Sequence, residues 1–265
     1  SYCERDVEVN HALWMRLNKT PYAEKATELE HKFATLMFMQ EQAGFPFDEE
    51  AAAKLYSELK KKCLKIESDL QTIFPPRVIE MKSKYAVSPN GVEWESKKAA
   101  VKAGHPDKLI TWGRNKTKSI PFNPGSRDEI ARRFKEKYDW QPEEFTAEGK
   151  AKVDETVLGA LDYEEAVPLT RYLLLSKRVG QLAEGRKALL KHVKEDGCIH
   201  GSIATVGAVT RRCTHASPNV AQVPKVGSEY GEEFRSLFTS VPGYLLVGCD
   251  AAGIELRMLG HYMAK

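Results

Sequence analysis

Residues 244–257 read Y-L-L-V-G-C-D-A-A-G-I-E-L-R. The apolar run 245–249 predicts a buried strand, and the carboxylate of Asp250 follows it directly. A glycine, a second acid at Glu255 and a helical pattern come next. From these residues alone two interpretations stay open. Asp250 binds a divalent cation, for which carboxylate oxygen is a preferred ligand, or it caps the helix that begins near Gly253.

Composition limits the class of protein. The chain has 265 residues, enough for one large or two small domains, and its 42% hydrophobic and 29% charged content is ordinary for a globular protein. No apolar run reaches the length of a membrane span, and no signal peptide is recognisable, so we expect a cytoplasmic protein. Five scattered cysteines without a C-x-x-C pair indicate reduced thiols.

The order of patterns along the chain predicts the fold class. Helical spacing covers 2–17 and 26–43, and a long helix is expected between Asp48, as its N-cap, and the prolines at 75–76. Further helices are predicted from the S-x-x-E capping box at Ser126 and over 163–193. Strand-like text follows at 198–203 and 207–212. Because helices come first and strands last, we predict an α+β fold.

Residues 75–120 differ from the rest of the chain. They carry ten basic and four acidic residues, a local net charge of 10 − 4 = +6, while the whole chain has a net charge of only +3. Periodicity is weak, and Tyr85, Trp94 and Trp112 are interspersed. We interpret the segment as an insertion with only partial structure, and composition alone favours a solvated, flexible loop over a binding element.

Two further segments carry candidate binding residues. The segment 210–224 reads T-R-R-C-T-H-A-S-P-N-V-A-Q-V-P and holds side chains suited to phosphates and base edges, namely Arg211, Arg212, His215, Asn219 and Gln222. A solvated loop is the alternative. Tyr2 and Asp6 lie four residues apart on one predicted helix face, where they could hold a metal ion and a water, or form part of an ordinary helix surface.

Taken in this order, the segments resemble family A (polymerase I-like) DNA polymerases, in particular the replicative enzymes of short-tailed phages. The stretch 250–257 is similar to the first palm motif of that family. The resemblance implies that the carboxylate of Asp250 and the carbonyl of Ala251 bind catalytic Mg²⁺. It also implies that Glu255 selects deoxynucleotides by blocking the ribose 2′-hydroxyl.

The other motifs support the same resemblance. Segment 210–224 is similar to the T-G-R…P-N…P motif that contacts the primer–template minor groove, with Arg211 in place of the usual glycine, and the contacts it implies are Arg212, Asn219 and Gln222. Downstream, Arg235 and Phe238 match an R-x-x-F motif. Tyr2-x-x-x-Asp6 is similar to the third motif of the proofreading exonuclease, which implies that Asp6 is a metal ligand.

The resemblance also implies a domain organisation. Residues 1–24 match the end of the exonuclease domain, 25–197 the thumb with the helices that lead into the palm, and 198–265 the start of the palm, with 75–120 at the thumb tip. The fingers and the second palm carboxylate are not found in the 265 residues, so we expect a central segment of a polymerase that is inactive alone.

The expected partners follow from the same family. They are primer–template DNA, deoxynucleoside triphosphates, the remaining polymerase segment with the fingers and the rest of the palm, and a processivity factor at 75–120. A non-catalytic DNA-binding or assembly remnant of such a polymerase is the alternative. A relative of single-subunit RNA polymerases is disfavoured by the acid at Glu255.

Overall fold

The computed structural model describes residues 2–17 and 24–264, and they form two compact units. One unit combines the chain up to Leu55 with the chain from Gln181 onward, and the other is Tyr56–Gly180. Helices and short antiparallel strands make up both, which confirms the predicted α+β class. Among the described helices, none is both long and apolar enough to cross a bilayer.

The elements follow the chain in a simple order. The helices are α1 (Tyr2–Leu17), α2 (Glu24–Ala43), α3 (Glu49–Ile73), α4 (Lys97–Lys102), α5 (Arg127–Tyr138), α6 (Glu155–Gly159), α7 (Ala166–Val179), α8 (Gly231–Ser236) and α9 (Ile254–Met263). The strands are β1 (Phe45–Pro46), β2 (Arg77–Val87), β3 (Glu93–Trp94), β4 (Thr111–Ile120), β5 (Cys198–Ile199), β6 (Ser202–Ala204) and β7 (Thr214–Ala216).

The helical core of the second unit forms where α3, α5 and α7 bring their apolar stripes together. Phe74 lies 4.6 Å from Phe122 between ring centroids, and Phe134 is fully buried beside it. Around them pack aliphatic side chains, including Leu70, Ile130, Val153, Leu158, Leu169 and Leu173. Each large side chain buried in this way contributes about 1.5–3 kcal/mol to folding, so this cluster determines how the helices pack.

Side-chain caps set the starts of these helices. The Asp48 carboxylate accepts the Ala51 N–H at 2.9 Å, which confirms it as the N-cap of α3. Ser126 caps α5 by accepting the Glu129 N–H at 3.3 Å, as the capping box predicts. The predicted helix over 163–193 is shorter than expected, because α7 ends at Val179 and passes into a π-helical turn over Gly180–Glu184.

A buried acid cross-links the same unit. Glu165 precedes α7 and is only 7% exposed, and its carboxylate accepts hydrogen bonds from Lys137 and Tyr138. Burial raises the pKa of Glu165, but these two hydrogen bonds together outweigh burial and hold the pKa below its ordinary value. The pKa of Lys137 is raised by the same contact, so the pair is ionised near neutral pH.

Residues 77–120 form an ordered three-stranded sheet with strand order β3-β2-β4, which we call the basic sheet. The expectation of a flexible loop with partial structure is therefore wrong. Arg77 pairs with Ile120 at one end of β2 and β4, and Val87 pairs with Thr111 at the other. Most residues of β2 and β4 are exposed. The two strands therefore lack the alternation of apolar and polar residues from which a strand is predicted. They are instead specified by backbone pairing and by a small core, namely Ala86, Ala100 and Ile110.

In the first unit, α2 ends against β1 and β5. Gly44 has a φ of +68°, and a Cβ there would lie 2.7 Å from Cε1 of His200. The His200 ring bridges the Glu41 carbonyl at 2.7 Å and the Asp196 carboxylate at 2.8 Å. The Cys198 N–H and the His200 ring hold the pKa of Asp196 below its ordinary value. This junction joins α2 to the β5 segment.

Two strand predictions near the C-terminal end are wrong. Residues 244–250 are irregular, and Leu245 and Val247 are 88% and 91% exposed. A strand forms only where a neighbouring strand pairs with it, and no described residue pairs with this run. Residues 207–212 form a turn instead of a strand.

Candidate primer–template and metal site

The β6–β7 hairpin carries the two candidate arginines in its connecting loop. Its strands pair with Ile203 opposite His215. The loop closes on itself, since the Arg211 N–H donates to the Ala208 carbonyl at 2.8 Å. Gly207 permits this closure, because a Cβ there would overlap the Thr214 hydroxyl. The hairpin therefore presents residues 211 and 212 at its exposed end.

Arg211 has a backbone conformation that suits glycine. Its φ is +60°, in the left-handed region, and its side chain is exposed. A residue with a Cβ is strained there by about 1–2 kcal/mol. This explains physically why the resembling motif has glycine at this place.

Arg212 and Glu255 lie together in the structure. The Arg212 guanidinium donates to the Glu255 carboxylate at 2.7 Å, and the two side chains are 73% and 70% exposed. An ion pair this exposed contributes about 0–1 kcal/mol, so it is easily exchanged for another partner. The structure thus brings the predicted primer contact beside the predicted sugar-selecting residue.

Asn219 and Gln222 share one small cavity of ≈ 90 Å³. Asn219 also accepts the Ala221 N–H at 3.1 Å and so caps the short 3₁₀ turn Val220–Gln222. Part of the hydrogen-bonding capacity of Asn219 therefore stabilises its own loop, which is typical of an amide side chain in a solvated loop. Gln222 is exposed at the end of that turn and remains able to contact a ligand.

The R-x-x-F motif anchors this loop. The Arg235 guanidinium donates to the Pro224 carbonyl at 2.8 Å. Phe238 packs edge-on against Phe47 at 5.3 Å and also contacts Phe45. Arg235 thus holds the segment that follows Asn219, and Phe238 packs beside β1. Both residues therefore have a structural role that involves no ligand.

Asp250 does not cap the helix that follows it. The N-cap of α9 is Gly253, with a φ of +61° and no side-chain cap. The Asp250 side chain is exposed, and its carboxylate makes no hydrogen bond or ion pair with any described residue. The capping interpretation is therefore wrong. Its oxygens therefore have no competing partner in the part of the chain that the structure describes, and the exposed residue Ala251 follows directly.

The donor set at this place fits half of a magnesium site. Carboxylate and carbonyl oxygens are the hard ligands that Mg²⁺ prefers, and Mg²⁺ is commonly held by one or two carboxylates together with substrate phosphates. Over residues 2–17 and 24–264, no cluster of three or more His, Cys, Asp or Glu side chains could hold a metal ion. Tyr2 and Asp6 are exposed on α1, outside any such cluster.

Two further residues belong to the same surroundings. The ring of His215 is partly buried in β7, and its Nδ1 has no hydrogen-bond partner in the described part of the chain. Lys187 lines the cavity of Asn219 and Gln222, although sequence patterns did not indicate it. Its local sequence has no motif, and only the folding of residues 181–189 onto the loop brings it there.

Comparison with known proteins defines the class. The sequence-family model for DNA polymerase family A matches residues 108–265, more than half of the chain. The chain therefore belongs to DNA polymerase family A. This confirms the family that the motifs of 250–257 and 210–224 resemble.

The relatives that resemble this chain over most of its length are phage enzymes, and a bacterial enzyme matches about half of it. The DNA-directed DNA polymerases of Enterobacteria phage T3 and Escherichia phage T7 are 37% and 36% identical over 91% of this chain. This chain spans 40% of the length of each. The thermostable DNA polymerase I of Thermus aquaticus is 29% identical over 53% of the chain.

The fold has a solved counterpart as well. The polymerase domain of Pol1 from M. smegmatis, in complex with DNA primer-template and dNTP, matches with a TM-score of 0.52 and covers 79% of this chain and 29% of its own. At 18% sequence identity this likeness supports the fold alone.

Proposed function

We propose that this chain is part of a DNA-directed DNA polymerase that extends a primer with deoxynucleotides in phage DNA replication. The observation that carries the proposal is the Arg212–Glu255 contact in a chain of DNA polymerase family A. Residues 1–24 would then be the end of an exonuclease domain with Tyr2 and Asp6, 25–197 the thumb region, and 198–265 the start of the palm. The site of action would be the host cell cytoplasm.

Each candidate has a role that its position supports. Arg212, Asn219 and Gln222, with Arg211 and His215 beside them, hold the primer–template, since arginine suits phosphates and amides suit base edges. Glu255 excludes a ribose 2′-hydroxyl. Asp250 and the Ala251 carbonyl hold Mg²⁺, and the ion, when bound, supplies activation of the primer hydroxyl and stabilisation of the leaving group.

The proposed site needs ligands that the described residues do not supply. Two-metal phosphoryl transfer uses paired ions about 4 Å apart, which one carboxylate does not hold. We therefore propose that activity requires a polymerase segment with the fingers and a second palm carboxylate, and that the chain alone does not extend a primer.

Primer extension tests the proposal. The chain is mixed with a polypeptide that carries the fingers and the rest of a family A palm, and extension is measured with Mg²⁺. We expect background activity from the chain alone and extension by the mixture. Because loss of a metal ligand removes several kcal/mol of transition-state stabilisation, Asp250→Asn should lower the rate by roughly 100-fold or more. Asp162→Asn, at an exposed site outside these motifs, is the control.

The same assay separates the alternative. A non-catalytic DNA-binding or assembly remnant does not need Asp250, so an unchanged rate in Asp250→Asn favours it. A second readout concerns the sugar. Glu255→Ala should raise incorporation of ribonucleotides relative to deoxynucleotides by about 10- to 200-fold, the range over which a binding pocket discriminates substrates that differ by one small group. No change in this ratio would remove the assigned role of Glu255.

A further inference from the structure

The basic sheet holds more positive charge than its own acids neutralise. Its acids already have partners within the sheet: Arg114 pairs with Glu93, Lys116 with Glu95, Lys97 with Asp107, and Asn115 donates to Glu80. The basic residues of the segment that form no ion pair with a described residue are Arg77, Lys82, Lys84, Lys98, Lys102, Lys108 and Lys118. The surplus is available to an anionic partner.

An exposed tryptophan lies among these cations. Trp112, opposite Ala86 in the β2–β4 register, is 57% exposed. It lines a surface depression of ≈ 480 Å³ together with Lys82 and Lys84 of β2. The acid of this depression, Glu95, is paired with Lys116 at 2.8 Å. The depression therefore offers one aromatic face and two unpaired ammonium groups.

The other aromatic side chains of the basic sheet have structural contacts. The Trp94 indole N–H donates to the Ser88 hydroxyl at 3.1 Å, and its ring packs against the small core. Tyr85 is covered by Arg114 and Lys116, at 5.3 Å and 5.5 Å from its ring centre. Trp112 makes no hydrogen bond to a described residue. Of these three rings, that of Trp112 therefore makes the fewest stabilising contacts within the described part of the basic sheet.

We propose that this depression binds single-stranded DNA, with a base stacked on Trp112 and neighbouring phosphates on Lys82 and Lys84. An aromatic face beside cations is the usual platform for single strands, because every base has a face that can stack. Paired bases of a duplex already stack on each other and leave no face for Trp112. An acidic peptide would use the two lysines but not the ring. The choice of DNA over RNA rests on the proposed function. The stacking site itself is inferred from Trp112, Lys82 and Lys84 and does not depend on that function.

Oligonucleotide binding tests the site directly. The full 265-residue chain is titrated against a fluorescein-labelled oligothymidylate of about eight nucleotides, within the usual 4–16 nucleotides per binding module. An oligomer of equal length with abasic sugars, a duplex hairpin, oligouridylate and polyglutamate are compared. We expect the abasic oligomer to bind at least about fivefold more weakly, because one stacked base is lost while the phosphates remain.

Variants localise the binding. Trp112→Thr, which keeps a good strand former, should weaken oligothymidylate binding by about 5- to 100-fold, and Trp112→Phe should retain most of it. Trp14→Ala is the matched control, since Trp14 is 61% exposed on α1. Lys82→Gln and Lys84→Gln should each reduce the salt slope of binding by about 0.7. Lys108→Gln, outside the depression, should not.

Several results would overturn the proposal. They are equal binding of abasic and thymidylate oligomers, equal losses in the Trp112 and Trp14 variants, or stronger binding of polyglutamate, which assigns the site to an acidic protein segment. Stronger binding of the duplex or of oligouridylate also rejects it. If Trp112→Thr unfolds on heating earlier than the parent chain, the Phe and lysine variants decide. Primer extension tests the proposed function separately, so the two failures are distinguishable.

Discussion

The guanidinium of Arg212 and the carboxylate of Glu255 are 2.7 Å apart, although 43 residues separate them in the chain. Arg212 lies in the β6–β7 loop and Glu255 in the first turn of α9. The two proposed functions of the site, holding the primer and selecting the sugar, are therefore linked through one exposed ion pair. If Arg212 binds a phosphate as proposed, that phosphate competes with Glu255 for the guanidinium.

Competition gives the first prediction. Glu255→Gln should raise affinity for primer–template DNA by up to about fivefold, because an exposed ion pair of no more than about 1 kcal/mol no longer competes. Arg212→Ala should weaken binding and reduce the salt slope by about 0.9, the value of one phosphate contact on duplex DNA. Fluorescence anisotropy over a salt series measures both. Glu232→Gln, an exposed acid of α8, should leave both unchanged. Lower affinity in Glu255→Gln would contradict the competition.

Backbone strain at Arg211 gives the second prediction. Arg211→Gly should stabilise the chain by about 1 kcal/mol, because glycine adopts a φ of +60° without the Cβ clash. Arg211→Ala removes the same charge but keeps the Cβ, so it should bring no such gain. Urea unfolding compares the two. Equal stability of the Gly and Ala variants would show that charge, and not conformation, matters at this position.

Acid stability depends on Glu165. Its pKa is lowered in the folded chain, so its stabilisation is full above the ordinary carboxyl value of about 4.3 and is lost as the pH falls through the folded value. Glu165→Gln should lower the free energy of unfolding by about 1.5–3 kcal/mol at neutral pH, the usual range for hydrogen bonds to a charged group. The variant should also lose less stability than the parent below pH ~4.

The neighbouring acid supplies the control for that experiment. Glu164 is exposed and precedes Glu165 directly. Glu164→Gln should keep the parent's stability and its dependence on pH, measured by thermal unfolding across the acid range. If Glu165→Gln loses as much stability as the parent chain when the pH falls below ~4, the contacts of Lys137 and Tyr138 with Glu165 do not stabilise the fold.

Gly44 gives the fourth prediction. An alanine there is strained by its positive φ and also lies 2.7 Å from His200 and 2.9 Å from Cys198. Gly91 has a positive φ of +80° with open space around it. Gly91→Ala should therefore cost about 1 kcal/mol for conformation, and Gly44→Ala about 1–3 kcal/mol more for overpacking. Equal losses in urea unfolding would show that the α2–β5 junction has room for a side chain.

Local signals predicted the helices well. The sequence reveals the caps Asp48 and Ser126 because a cap hydrogen bond spans only three residues, and a pattern of that length is visible in the sequence. The strands were predicted less well. The exposed ribbon of the basic sheet has no apolar alternation, and 245–249 has apolar character without a described partner strand. A strand depends on a neighbour that the local sequence does not reveal.

For the site, the sequence by itself determined the residue types and the family: the acid of Asp250, the acid of Glu255, the arginines at 211–212 and the match to DNA polymerase family A. Only the tertiary structure decided which of them meet. It paired Arg212 with Glu255, placed Lys187 beside Asn219, gave the α9 cap to Gly253 and left Trp112 exposed among lysines. The reason is that side-chain chemistry is local, whereas proximity between residues far apart in sequence depends on the folded backbone.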